Sequence, residues 1–154
     1  MTSFDATNQF GLRFHHLGLA VDDPEVAILF LSGLGYRTGD TFFDPLQNVH
    51  LLMCVHASMP AVEIIYPAQG AGPLDKLLAK HKKGLIYHMC YSTDDLDASI
   101  KSMETDERIR LICISPPKRA VLFGGKEVSF YLVAGVGLIE IINEKAAGPI
   151  STGE

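Results

Sequence analysis

A repeat constrains this chain more than any other feature. The segment HLGLAVDD from His16 to Asp23 returns as HMCYSTDD from His88 to Asp95, and VEII from Val62 to Ile65 returns as IEII from Ile139 to Ile142. Each copy opens on a histidine and closes on a glutamate flanked by aliphatics. A unit repeated in this way folds as two similar modules that bury a common core. If the two halves face each other, two imidazoles and two carboxylates meet at matching points, which is the donor set of a mononuclear metal site.

The 154 residues fit one domain, large enough to bury its core without covalent staples. A net charge of −5 argues against nucleic acid as a partner, because phosphate binding needs a dense basic face and the basic clusters here are short. Cys54, Cys90 and Cys113 are odd in number and widely spaced within apolar runs, so they read as buried strand thiols in a reducing compartment rather than as a disulfide framework. No apolar run approaches membrane-spanning length and no basic leader precedes one, so the expectation is a cytoplasmic protein without a membrane partner.

Along the chain, residues 1–11 are polar and aperiodic and residues 145–154 are rich in small residues, so both ends are expected to fray. Between them the pattern predicts two βαβββ modules. Phe14 to Val21 reads as a strand; the DDPE stretch from Asp22 to Glu25 then supplies a helix cap, an early proline and an acidic first turn. Val26, Phe30 and Leu34 mark the inward face of that helix, and strands follow near Tyr36 to Asp40, Val49 to Val55 and Ala61 to Tyr66. A linker helix is expected within Pro73 to Lys83. The second module repeats the plan: a strand from Ile86 to Ser92, a helix capped near Asp94, and strands near Arg110 to Ile114, Val128 to Val133 and Gly137 to Asn143. Pro116 to Lys126 reads as a long loop at a ligand rim.

Alternation along a strand puts His16 on one face with Phe14 and Gly18, and turns Glu63 and Glu140 away from their aliphatic neighbours. A carboxylate in the middle of a Val/Ile-rich strand must be compensated. Two arrangements do so. The four residues hold a cation, or the glutamates line a wet groove while the histidines cap hydrogen-bond networks.

The stretches FHHLGLAV from Phe14 to Val21, VEIIYP from Val62 to Pro67, HKKGLIYHM from His81 to Met89 and GLIEI from Gly137 to Ile141 resemble the vicinal oxygen chelate superfamily, the glyoxalase, bleomycin resistance and extradiol dioxygenase group. Within it they are most similar to the methylmalonyl-CoA epimerase branch. The resemblance spans residues 12–144. It implies an α+β fold in which modules 12–67 and 84–144, joined by a linker over residues 68–83, form a curved-sheet cup. It further implies one divalent metal ion (Zn, Co, Ni, Mn or Fe) held by His16, Glu63, His88 and Glu140, with oxygens of water or substrate completing the shell, and a homodimer.

This chain departs from that branch at two places. The epimerases commonly have Gln where Glu63 stands, and glutamate there is more similar to glyoxalase I. Where the epimerases place a carboxylate base on the third strand, this chain supplies His50. An imidazole can still abstract a proton near neutral pH; His50 could equally bind a substrate carboxylate or phosphate, or simply face the groove.

The chemistry expected is proton transfer α to a carbonyl, with the ion stabilising an enolate and His50 and Glu140 as the catalytic pair. The substrate would be a small molecule, an acyl-CoA or another activated carbonyl compound. The alternatives are a glyoxalase I-type lyase and a protein that sequesters small molecules without turnover. Lys118, Arg119 and Lys126 read as a solvated loop within reach of a CoA-like tail, Gln47 and Asn48 as lining the pocket mouth, Gly124 and Gly125 as turn residues, and His15, His56 and His81 as structural or surface residues.

Overall fold

The computed structural model describes residues 7–145. The first module runs β1 (Arg13–Ala20), α1 (Pro24–Gly33), β2 (Arg37–Asp44), β3 (Val49–Val55) and β4 (Ala61–Pro67). After α2 (Asp75–Lys80), the second runs β5 (Leu85–Thr93), α3 (Leu96–Glu104), β6 (Leu111–Arg119), β7 (Glu127–Val133) and β8 (Gly137–Asn143). All eight strands join one curved mixed sheet in the order β2-β3-β4-β1-β5-β8-β7-β6. The topology of each half is the same: the first strand pairs parallel with the last, and the two first strands, β1 and β5, pair antiparallel at the centre. The fold is α+β and glyoxalase-like, as the repeat and the resemblance led us to expect.

The helices start where the sequence signals them. Asp23 caps α1 by accepting from the Glu25 amide, with Pro24 at the first position, and Asp95 caps α3 by accepting from the Ala98 amide. Both helices cover one face of the sheet. Leu31 of α1 packs on Leu52, Cys54, Val62 and Ile64, and Leu96 and Met103 of α3 pack on Tyr131, Ile139 and Ile141. Ile64 and Ile141 occupy equivalent places in the repeat and are fully buried, each contributing roughly 1.5–3 kcal/mol. On the other face, α2 lays Leu74 and Leu78 over Ala20, Val49 and Ile65.

Several expectations require correction. In α1 the buried residue is Leu31, flanked by Ala27 and Ile28, whereas Val26, Phe30 and Leu34 are exposed. This helix is apolar nearly all round, so its periodicity does not select a face. Pro116 to Arg119 belong to β6, an edge strand whose register shifts around the two prolines; an edge strand has no outer neighbour that needs their amides. The expected long loop therefore shrinks to a 3₁₀ turn at Val121–Phe123 and the turn at Gly124 and Gly125. Cys113 is exposed on that edge, while Cys54 and Cys90 are buried.

The fraying expected of the N-terminal segment does not extend to its last residues: Ser99 Oγ donates to the Phe10 carbonyl at 2.7 Å, Ser102 Oγ to the Gln9 carbonyl at 2.9 Å, and Phe10 packs on the α3 core. Residues 1–6 and 146–154, the remainder of the expected fraying ends, lie outside the described residues. Among the described residues no helix is long and apolar enough to cross a membrane.

Candidate metal centre

The register of four central strands assembles the site. β1 and β5 set Gly18 opposite His88 and His16 opposite Cys90; Gly18 also pairs with Glu63 of β4, and Cys90 with Glu140 of β8. Register partners stand side by side on one face, so both histidines and both glutamates project from the face opposite α1 and α3. His16 Nε2 lies 3.6 Å from Glu63 Oε2 and 3.4 Å from Glu140 Oε1. His88 Nε2 lies 3.9 Å from Glu63 Oε1, 3.7 Å from Glu140 Oε1 and 3.4 Å from His16 Nε2. All four residues are at most 4% exposed, so water does not solvate the carboxylates.

Burial governs the electrostatics. It pushes the Glu140 carboxyl up to about 7 and the Glu63 carboxyl well above its ordinary range, with the Glu140 charge adding to the second shift. It also lowers His16 to about 3, helped by the neighbouring His88 and His15, and His88 to about 4. Neither imidazole therefore charges to neutralise the acids, and among the described residues neither glutamate has a Lys or Arg partner. Glu140 Oε1 is buried with no hydrogen-bond partner.

Two neutral imidazoles and two acids whose ionised forms lack compensation fit one divalent cation. Donors sharing an ion at ~2.0–2.2 Å each lie roughly 3–4 Å apart; His16 Nε2, His88 Nε2 and Glu140 Oε1 do so together, and Glu63 approaches the two histidines through different oxygens, Oε2 towards His16 and Oε1 towards His88. Glycine at position 18 is part of the fit, since a Cβ there would fall 2.2 Å from His88 Cε1.

Two residues missed as site residues enter the cup through β-bulges placed by the same symmetry. β1 carries an extra residue at His15 and β5 an extra residue at Tyr87, each immediately before a site histidine. A bulge breaks alternation, so Phe14 does not share the face of His16 as expected; it pairs with Tyr91 on the other side. His15 Nδ1 lies 2.8 Å from His16 Nδ1. The Tyr87 hydroxyl is pushed well above its ordinary range, by burial first and then by Glu63 and Glu140. Repeat alignment was the available signal: His15 and Tyr87 occupy one equivalent position. Phe123, from the 3₁₀ turn, stacks on His16 and meets His15 edge-on. Beside it opens a cavity of about 300 Å³ lined by His15, Met53, Leu122, Phe123, Lys126, Ile142 and Glu144.

His50 is not brought to this site. Its register partner is Tyr66, whereas Glu63 pairs with Met53; three residues apart on an unbulged strand means opposite faces. Its ring stacks on Tyr66 at 5.0 Å and tilts against Phe43. The β3 residues that share the Glu63 face are Val49, Leu51, Met53 and Val55, so the strand supplies no acid or base to the cup.

The remaining candidates divide. Lys126 lines the cavity and pairs with Glu144; Lys118 and Arg119 are exposed at the end of β6. Asn48 does not line a mouth but closes a turn, its amide donating to the carbonyls of Gln69 and Ala71. His56 Nδ1 accepts from the amides of Ser58 and Met59, a structural role as expected.

Residues 15–130 match the family model described as the glyoxalase/bleomycin resistance protein/dioxygenase superfamily. The mitochondrial methylmalonyl-CoA epimerase of Bos taurus is 26% identical over 101 residues, which cover 65% of this chain and 57% of that protein. The ethylmalonyl-CoA/methylmalonyl-CoA epimerase of Cereibacter sphaeroides is 27% identical over 88 residues, covering 56% and 65%. The chain thus spans between half and two thirds of the length of the curated relatives it matches. The crystal structure of methylmalonyl-CoA epimerase from Mycobacterium tuberculosis superposes with a TM-score of 0.69 at 21% identity, covering 91% of this chain and 93% of that one.

Proposed function

The chain belongs to the glyoxalase/bleomycin resistance protein/dioxygenase superfamily, and from that premise we propose that it is a divalent-metal-dependent isomerase or epimerase that moves a proton α to a carbonyl. The observation that carries this reading is the convergence of four donors, one His and one Glu from each half, with nitrogen to oxygen distances of 3.4–3.9 Å and no Lys or Arg among the described residues to compensate the two carboxylates. His16, Glu63, His88 and Glu140 would hold the ion, which could be Zn, Co, Ni, Mn or Fe. When bound, the ion supplies Lewis acidity that stabilises negative charge on the substrate's carbonyl oxygen.

The protein's own groups would do the rest. The Glu140 carboxylate, buried and with Oε1 lacking a hydrogen-bond partner, is the group proposed to take the α-proton, on leaving the ion that it would otherwise help to hold. An epimerase needs a second group to return it on the opposite face. With His50 on the other side of the sheet, that task falls to Glu63, which comes from the opposite half of the repeat. Phe123 over His16 and Phe130 against His88 exclude water from the reacting centre. An acyl-CoA or similarly activated acid is proposed as substrate because the curated relatives at 26–27% identity are acyl-CoA epimerases.

Residues 12–144 are proposed as one domain of two superposable modules, 12–67 and 84–144, with residues 68–83 bridging them. The protein is proposed to be a homodimer, for which small-angle scattering is the check. The carboxylate at Glu63 favours a second reading, a glyoxalase I-type lyase, which would use the same cup.

The test is exchange of the α-hydrogen in deuterated buffer, with Co²⁺-loaded protein and a panel comprising methylmalonyl-CoA and short 2-substituted acyl-CoAs. Metal-dependent exchange that Glu140→Ala abolishes is expected. Turnover of the methylglyoxal–glutathione hemithioacetal without exchange on the panel would favour the lyase. Tight binding without either reaction would favour sequestration.

A further inference from the structure

The two site histidines are held in different ways. His88 lies over Gly18, with the Tyr87 ring edge-on at 4.4 Å and Phe130 edge-on at 5.6 Å, and among the described residues its Nδ1 has no hydrogen-bond partner. His16 has a partner: the β1 bulge turns His15 onto the same face and brings the two Nδ1 atoms to 2.8 Å. A hydrogen bond between two ring nitrogens needs one hydrogen, on one of them. If His16 Nδ1 carries it, His16 Nε2 presents a lone pair towards Glu63, Glu140 and His88. If His15 Nδ1 carries it, His16 keeps its hydrogen on Nε2, pointing into the cup, where it would block a cation.

We propose that His15 is a positioning residue of the metal centre: its Nδ1 accepts the hydrogen of His16 Nδ1 and so fixes the tautomer and ring orientation in which His16 Nε2 can bind the ion. The inference rests on the metal reading above and adds to it an asymmetry, His16 oriented by a hydrogen bond and His88 by packing. Partners of this kind are worth roughly 10–100-fold in metal affinity. His15 is suited to the task because it is itself held, edge-on against Phe123 and at the wall of the cavity that Lys126 and Glu144 also line.

The experiment uses the full chain, stripped of metal and titrated with Co²⁺ by calorimetry, together with ¹⁵N NMR of the His16 ring in the metal-free protein. His15→Phe keeps the aromatic contact with Phe123 and removes the acceptor; His15→Asn offers Oδ1 near the position of Nδ1. Wild type is expected to bind one Co²⁺ per chain with the His16 hydrogen on Nδ1. His15→Phe should weaken binding by roughly 10–100-fold at unchanged stoichiometry and let the hydrogen redistribute over both ring nitrogens, whereas His15→Asn should restore both readouts.

Equal affinity in wild type and His15→Phe would overturn the proposal, as would an unchanged tautomer. A second Co²⁺ lost in both His15→Phe and Cys90→Ala would also overturn it, since His15 would then be a ligand in the neighbouring cluster of His15, His16 and Cys90. A wild type that binds no Co²⁺ would sink the metal reading, and the metal-free NMR comparison would still decide whether His15 sets the His16 tautomer.

Discussion

His88 rests on Gly18 so closely that a methyl group cannot come between them: a Cβ at position 18 would sit 2.2 Å from the ring's Cε1 and 2.4 Å from Nδ1. Space, not backbone conformation, requires the glycine, because Gly18 is not among the residues with positive φ. Gly18→Ala is therefore predicted to displace the His88 ring, weakening ion binding at least tenfold and lowering stability by roughly 1–3 kcal/mol. Gly33→Ala, at a position with open space around it, is the control and should leave ion binding unchanged. Calorimetric titration and thermal melting report both quantities.

His50→Ala is predicted to leave ion binding and α-proton exchange within about twofold of wild type, because the side chain lies on the face opposite Glu63. The loss of its aromatic contacts with Tyr66 and Phe43 should cost about 1 kcal/mol in urea unfolding. A drop in exchange of 10²–10⁴-fold, the effect of removing a general base, would return His50 to the mechanism.

Protonation of the cup makes the metal-free protein prefer mild acid. Glu140, raised in the fold from 4.5 to about 7, keeps a proton that the unfolded chain has already lost, so its contribution to stability is fully present below about pH 4.5 and is lost as pH rises through 7. Glu63 acts in the same direction. The histidines, lowered to about 3 and 4, act oppositely, but only below about pH 6.5, where the unfolded chain begins to protonate them. With chelator present, stability should thus rise by on the order of 1 kcal/mol between pH 8 and 6.5. A bound ion should remove or reverse that slope, since it requires the ionised carboxylates. Melting temperatures across the two series are the measurement.

Thiol accessibility checks the sheet's edge independently. Cys113 is exposed on β6, while Cys54 and Cys90 are buried and their thiols are pushed up, chiefly by burial. One thiol of three should react rapidly with a disulfide reagent in the folded protein, and Cys113→Ser should abolish that phase. Rapid reaction of a second thiol would contradict the packing of β3 or β5.

The repeat made the architecture and the four central residues legible, because His16 and His88, and Glu63 and Glu140, occupy equivalent places that a symmetric sheet brings together. What escaped was the parity of individual strands. His50 stands beside apolar neighbours on both sides, so the sequence alone does not say which face it takes; the pairing of Met53 with Glu63 decides it. His15 and Tyr87 were hidden because strict alternation points them away from the cup, and only the bulges turn them in. In α1 an almost uniformly apolar helix concealed its buried face. Edge position, which lets β6 accept Pro116 and Pro117, is a property of strand order and has no local signature.

The most direct test of the central claim is the metal content of protein purified without chelators, measured by elemental analysis with native mass spectrometry for stoichiometry. The account predicts about one divalent ion per chain in wild type and in His50→Ala, and none in His88→Ala or Glu140→Ala, with all four proteins folded by circular dichroism. A folded wild type that carries no ion and takes up none of Mn²⁺, Fe²⁺, Co²⁺, Ni²⁺ or Zn²⁺ would contradict it.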